Sequence, residues 1–187
     1  MADKLRCEWC LKDQIYMDYH DKVWGIPVHD DQKLFEYINL EGAQAGLSWY
    51  TVLVRKDSYA EAFDQWDAQK IANYDEKKVA ELLQNPGIIR NKLKVAAAID
   101  NAKAFLKIQE EFGSFDQYIW QFVNHQPIIN NWKSMSEVPA KTAESDAMSK
   151  DLKKRGFRFV GSTICYAFMQ AVGMVDDHLP HCWKRNS

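Results

Sequence analysis

A run of consecutive helices is the fold class that this sequence predicts. Apolar residues recur at helical spacing in one segment after another. Cap-forming residues stand ahead of those segments, and no stretch alternates apolar and polar residues for long enough to claim a strand. The predicted class is therefore all-α. Asp30-Asp31 offers an N-cap to a helix carrying Leu34, Phe35, Ile38 and Ala45. Asp75 caps a helix with Val79, Leu82 and Leu83, which ends at Asn85-Pro86-Gly87, read as a plain interhelical turn. Residues 90–108 repeat Leu93, Ala96, Ala97 and Ile99 at helical intervals. Ser114-Phe115-Asp116-Gln117 reads as a capping box for a short helix holding Tyr118, Ile119, Trp120 and Phe122. Ser145 begins a further helix, with Met148 and Leu152 inward and Gly156 as its stop. Ser162 opens the last one, which Gly173 closes. The loop richest in polar residues spans 130–144.

The 187 residues suit a single domain over 1–187, folded as two helical lobes around shared apolar contacts. With 47% hydrophobic and 27% charged residues, disordered and low-complexity classes are excluded. Uninterrupted apolar runs such as residues 164–169 are far short of the ~20 needed to span a membrane, so no membrane partner is expected. The start of the chain has no apolar leader, and the expected compartment is cytoplasmic. Four cysteines in that setting argue for thiols or a metal rather than disulfides. Seven Trp, eight Tyr and nine Phe supply flat walls of the kind that stack on planar ligands. Lys+Arg 24 against Asp+Glu 26 gives a net charge of −2, so any polyanionic partner must meet a local basic patch. No heptad pattern is evident, and a monomer is expected.

Four constellations point to chemistry. Leu34, Ile38, Glu41 and Ala45 stand at offsets of four, seven and eleven, which places Glu41 on an apolar helix face. A carboxylate there is costly unless paired or used, whereas a phase slip of one residue would turn it to water. Gly42, Ala43, Ala45 and Gly46 leave room beside it, and Ser48-Trp49 supplies an aromatic wall. At the two ends of the chain, Cys7, Cys10 and His20 face His178, His181 and Cys182, six candidates for the four places of a closed tetrahedral site. Residues 150–158 carry five positive charges and one negative within a helix–hairpin–helix over about 150–173. In it, Gly161 exposes helix N-terminal N–H groups suited to a phosphate. Finally, Trp9, Tyr16, Tyr19 and Trp24 cluster around His20, with Tyr16 and Tyr19 on one helix face.

Taken together, Cys7-x-Trp9, Tyr16-x-x-Tyr19-His20-Asp21-x-x-Trp24-Gly25, Leu40-Glu41-x-x-x-Ala45-Gly46-Leu47-Ser48-Trp49, Trp120-x-Phe122-Val123-Asn124, Lys154-Arg155-Gly156-Phe157-x-Phe159-Val160-Gly161 and Asp177-His178-x-x-x-Cys182 resemble the 3-methyladenine DNA glycosylase I family. The resemblance runs from about Arg6 to Cys182. It implies a helix-hairpin-helix glycosylase fold and an enzyme of base excision repair. Such an enzyme flips 3-methyladenine out of alkylated double-stranded DNA and hydrolyses its glycosidic bond, leaving free base and an abasic site.

The resemblance also implies one structural Zn²⁺ per chain on Cys7, His20, His178 and Cys182, tying the termini together. It places the base pocket on Trp9, Tyr16, Tyr19, Glu41 and Trp49, with Glu41 as the catalytic group. Leu47 becomes the residue that fills the gap left by the flipped nucleotide, and Lys154, Gly156 and Gly161 the DNA contacts. The family does not rely on the Asp base of its superfamily; Asp177 is the one place where such a base would be sought. The alternative is a non-catalytic helical zinc protein that binds DNA through its hairpin, which leaves Glu41 unexplained.

Overall fold

The computed structural model describes residues 4–186; residues 1–3 and 187 of the predicted domain lie outside the described residues. Asp13 opens α1 (Gln14–Lys22) by accepting the N–H of Tyr16, and Asp30 opens α2 (Asp31–Ala43) by accepting that of Lys33. α2 is the axis of the molecule. Every residue from Leu34 to Ala43 is buried, and the helix packs against four others. These are α3 (Trp49–Leu53), α7 (Lys92–Phe112), α8 (Phe115–Trp120) and α10 (Ser162–Ala171). A helix enclosed on all sides has no single apolar stripe. Leu34, Ile38 and Glu41 share a buried face as the spacing implies, but the enclosure extends beyond that face, and Ala45 lies beyond the helix end.

Around this axis run α4 (Lys56–Ala62), α5 (Ala68–Ala72), α6 (Glu76–Gln84) and α9 (Ala143–Lys154). α3, α4 and α5 have five to seven residues each, too few for a period to be visible in the sequence. Asp75 caps α6, and Asn91 caps α7, which runs past the predicted end to Phe112. The capping box expected at Ser114 is only half formed: Ser114 accepts the N–H of Gln117, and the Asp31 carboxylate takes the N–H groups of Phe115 and Asp116, each at 2.8 Å. The complete box lies at Thr142, where Ser145 is its third helical residue rather than the start of the helix. Two very short strands, β1 (Ile128–Ile129) and β2 (Val175–Asp176), pair in parallel, a small departure from the all-α expectation. Two residues per strand leave no alternation to detect.

The end of α2 is held by a cation. Lys94 Nζ donates to the carbonyls of Ala43 at 2.8 Å and Ala45 at 2.6 Å, and partial burial pushes its pKa down. The Ala43 carbonyl is one of the orphan acceptors that every helix leaves at its C-terminus, the Ala45 carbonyl belongs to the turn that follows, and a positive charge there also complements the dipole. Lys94→Met keeps the stem and removes all three donors. It is expected to lower stability by roughly 1–3 kcal/mol in urea unfolding, the cost of leaving partly buried acceptors unmet. An unchanged midpoint would mean that the carbonyls find other partners.

Candidate functional site

Beside α2 a cavity of about 200 Å³ is built from segments far apart in the chain. A one-turn 3-10 helix, Glu8–Cys10, presents Trp9, and α1 presents Tyr16 and Tyr19 one turn apart. Glu41 comes from α2, and Trp49 from the first position of α3, which Ser48 caps by accepting the N–H of Thr51. All five residues expected in a base pocket thus line one space. Trp9 is the hub of the wall, with edge contacts to Tyr16 and Trp24, both at 5.0 Å between ring centroids. Tyr19 tilts against Trp49 at 5.4 Å. Neither Tyr16 nor Tyr19 has a hydroxyl partner among the described residues.

Glu41 is 3% exposed, and its carboxyl makes no hydrogen bond or ion pair among the described residues. Burial alone pushes its pKa up to about 8, a shift that favours the protonated carboxyl. A buried acid without a partner is a poor element of packing and a good receptor for a cation.

Four further lining residues escaped the sequence reading: Gln44, Met135, Ala167 and Gln170. Met135 arrives from the polar loop before α9, and Ala167 and Gln170 from one face of α10. No local pattern marks them. Asp177, the candidate for an alternative base, is not in the cavity. It is 1% exposed, and its two oxygens accept from Tyr166 Oη at 2.5 Å, Asn130 Nδ2 at 2.7 Å, Trp132 Nε1 at 2.9 Å and Gln170 Nε2 at 2.9 Å. Four donors fill its capacity to accept, so it is a structural acceptor rather than a general base.

Near the cavity the two ends of the chain meet. Cys7, His20 and Cys182 are buried and present ligand atoms within 4.8 Å of one another. The His178 ring stands 5.1 Å from that of His20, and its buried Nε2 has no hydrogen-bond partner. Asp21 holds His20 Nδ1 at 2.8 Å and Asp176 holds His178 Nδ1 at 2.8 Å, which turns each Nε2 lone pair inward. A carboxylate behind each imidazole is the usual support of a metal ligand. Cys7, His20 and Cys182 are the residues grouped closely enough to hold a metal ion, and the orphaned Nε2 of the neighbouring His178 is a fourth donor of the kind a tetrahedral zinc ion takes. Cys10 instead donates Sγ–H to the Cys7 carbonyl at 3.1 Å, and the exposed His181 faces Glu8, so neither joins the set. Gly25, at φ +77°, allows this closeness: a Cβ there would lie 2.7 Å from His178 Cε1.

The basic segment folds as the end of α9, a turn, and α10. Its charge is less free than its composition implies. Arg155 is held by Asp151 and Glu111, each at 2.7 Å, and Arg158 by Asp100 at 3.1 Å. Lys150, Lys153 and Lys154 stay exposed and without ion pairs among the described residues. Gly156 takes φ +100°, and Gly161 begins α10 with open space around its Cα. None of Lys154, Gly156 and Gly161 touches the cavity. α10 joins the two regions, placing Gln170 about 13 Å along the axis from Gly161 at 1.5 Å per residue. Leu47 is 41% exposed at the rim, with its N–H on the carbonyl of the lining residue Gln44 at 2.7 Å.

Comparison with known proteins gives a consistent picture. The family model for methyladenine glycosylase matches residues 9–185. The DNA-3-methyladenine glycosylase of Haemophilus influenzae is 53% identical over 177 residues, covering 95% of this chain and 96% of that protein. DNA-3-methyladenine glycosylase 1 of Escherichia coli is 50% identical over 177 residues, covering 95% of each. A solved structure of 3-methyladenine DNA glycosylase I from Staphylococcus aureus, described for its recognition of 3-methyladenine, superposes with a TM-score of 0.94 at 35% identity, covering 96% of each chain.

The unpaired acid has a signature in stability. Its pKa is about 8 in the folded protein against 4.5 for an ordinary glutamate, so between those values the folded state holds more protons than the unfolded one. The contribution is intact below pH 4.5 and is lost as pH rises through about 8, at up to about 1.4 kcal/mol per pH unit. Glu41→Gln does not titrate. Its stability relative to the wild type is expected to grow between pH 5 and 8 and then level off, read from urea unfolding at several pH values. A difference independent of pH would show that the carboxyl is solvated.

Proposed function

The chain belongs to the methyladenine glycosylase family, and from that premise we propose that it removes 3-methyladenine from alkylated DNA by hydrolysis, leaving an abasic site. One observation carries the reading at the level of this molecule: a buried carboxyl with no partner, walled by indole and phenol rings. N3-methylation makes adenine in DNA a cation and a good leaving group, whereas undamaged adenine is neutral. A site that offers a cation its missing counter-charge between aromatic faces selects the first over the second.

The target base must leave the stack to reach this cavity. Leu47, exposed at the rim, is placed to occupy the vacated space, and α9, its turn and α10 form the helix-hairpin-helix that holds the phosphates through Lys154 and the backbone at Gly156 and Gly161. Entry of the cationic base favours the carboxylate of Glu41, which gives its proton to solvent and accepts from the base's amino edge. Trp9 and Trp49 abut the ring, and Tyr16 and Tyr19 bound the methyl-bearing side. Water then attacks the sugar C1′. The bonding pair departs with the base, which becomes neutral, and the water's proton is left over. With the cation gone, Glu41 regains its affinity for a proton. Its catalytic part is thus mainly selection and charge balance; the lability of the bond is supplied by methylation.

Cys7, His20, His178 and Cys182 would hold one zinc ion that ties the chain ends together; filled by four protein donors, its shell has no place for water and its role is structural. We read the molecule as a monomer of the cytoplasm. The cavity is complete within one chain, no disulfide joins any of the four cysteines, and no described helix is long and apolar enough to cross a membrane.

Two experiments test this. For release of 3-methyladenine from methylated duplex DNA, kcat/KM is expected to rise with pH and level off above about 8, the value for the empty site. Glu41→Gln is expected to abolish that dependence and lose roughly 10–100-fold, mostly in KM, because the charge on the base is fully present in the bound ground state. A flat wild-type profile would remove Glu41 from this role. Separately, chelation is expected to lower the melting temperature by about 10 °C, from ~4 kcal/mol of linkage at a thousandfold excess over Kd, with recovery on adding zinc. Melting that is indifferent both to chelator and to added zinc would exclude the ion.

A further inference from the structure

The amide of Gln170 is the feature of the cavity that the account above leaves idle. Gln170 lines the space, and its Nε2 donates to Asp177 Oδ2 at 2.9 Å. A glutamine amide ordinarily turns over to present whichever end a ligand needs. Here it cannot do so without cost, because Asp177 is ringed by Tyr166, Asn130 and Trp132 as well and only accepts. With the nitrogen committed, the carbonyl oxygen is the end left over, and no donor meets it among the described residues.

We propose that Gln170 is a specificity-determining residue whose carbonyl oxygen, held outward by Asp177, accepts from the exocyclic amino group of the flipped base and rejects purines with a carbonyl there. The inference rests on the cavity being the base site. The chemistry is restrictive. A 3-methyladenine nucleotide has N–H donors only on its exocyclic amino group, which carries two hydrogens, enough for both Glu41 and Gln170. A 3-methylguanine nucleotide is also a cation, so Glu41 attracts it too. At the corresponding position it bears an oxygen, which would face the amide oxygen lone pair to lone pair. A freely turning glutamine would answer with its nitrogen; one locked by Asp177 does not. Asp177 is therefore a positioning residue in this scheme, acting through Gln170.

The test is the ratio of 3-methyladenine to 3-methylguanine released from methylated duplex DNA by folded, zinc-loaded protein. Gln170→Met, of similar length with no acceptor of this strength, is expected to lower the ratio about tenfold, the scale of one hydrogen bond. Asp177→Asn keeps the shape and frees the amide to turn, and it too is expected to lower the ratio, chiefly by faster release of 3-methylguanine. If Gln170→Met does not fold, Asp177→Asn decides alone. A ratio unmoved in the folded variants, or equal slowing of both bases, would overturn the inference and reduce Gln170 to packing. Absence of any base release by the wild type would instead overturn the proposed activity.

Discussion

The structure depends on one constraint: a carboxyl must be kept dry and without a partner while the protein still folds. α2 meets it by being enclosed along its whole second half, so that Glu41 is 3% exposed, opens only onto the cavity and meets no basic side chain among the described residues. Burial costs least when the acid stays protonated, and the upward pKa is the physical record of that compromise. Much of what surrounds α2 follows from it. Lys94, the cation at the end of the helix, spends its charge on the carbonyls of Ala43 and Ala45 rather than on Glu41. Helices that pack on α2 contribute aromatic or apolar groups to the cavity, and the amide of Gln170 is bound to another carboxylate.

The parts of this arrangement that could be read from the sequence are those written in local chemistry. Asp30 and Asp75 mark helix starts because caps are single-residue features; Glu41 stands out because a carboxylate among apolar neighbours is anomalous. The spacing of Leu34, Ile38 and Glu41 holds in α2, but Ala45 is outside the helix, and beyond its exposed first turn the helix is buried all round, so the stripe is wider than the period shows. The five pocket residues were grouped by resemblance to a family, and periodicity alone would not have joined Trp9 to Trp49. Gln44, Met135, Ala167 and Gln170 were illegible because nothing within a short window says which loop or helix face will arrive beside α1. The short helices α3, α4 and α5 and the paired dipeptides of β1 and β2 were missed for a similar reason: each owes its form to tertiary packing rather than to a pattern long enough to repeat.

Charge shows how far a linear count can mislead. The segment from residue 150 to 158 counts as strongly basic, yet two of its five cations are bound to carboxylates that come from α7 and α9. The arginines there brace the turn against the body of the protein, and the lysines remain for solvent or phosphate. This division suits a rigid hairpin: the guanidinium forks fix geometry, and the flexible ammonium groups supply attraction.

The site and the tie between the chain ends cannot be separated mechanically. Tyr19 and His20 are neighbours on α1, so the residue that walls the cavity and the residue in the Cys7 and Cys182 cluster turn together. The ring of Trp9 lies 5.4 Å from His20, and Trp24 lies 4.7 Å from His178 while also touching Trp9. One layer of indole thus forms the floor of the thiol and imidazole cluster and the wall of the cavity. Trp9 rides on a single 3-10 turn beside the chain start, an element with little stability of its own. Cys7, two residues before Trp9, meets His20 and Cys182 in one buried cluster, so the wall of the cavity is anchored where the two ends of the chain join.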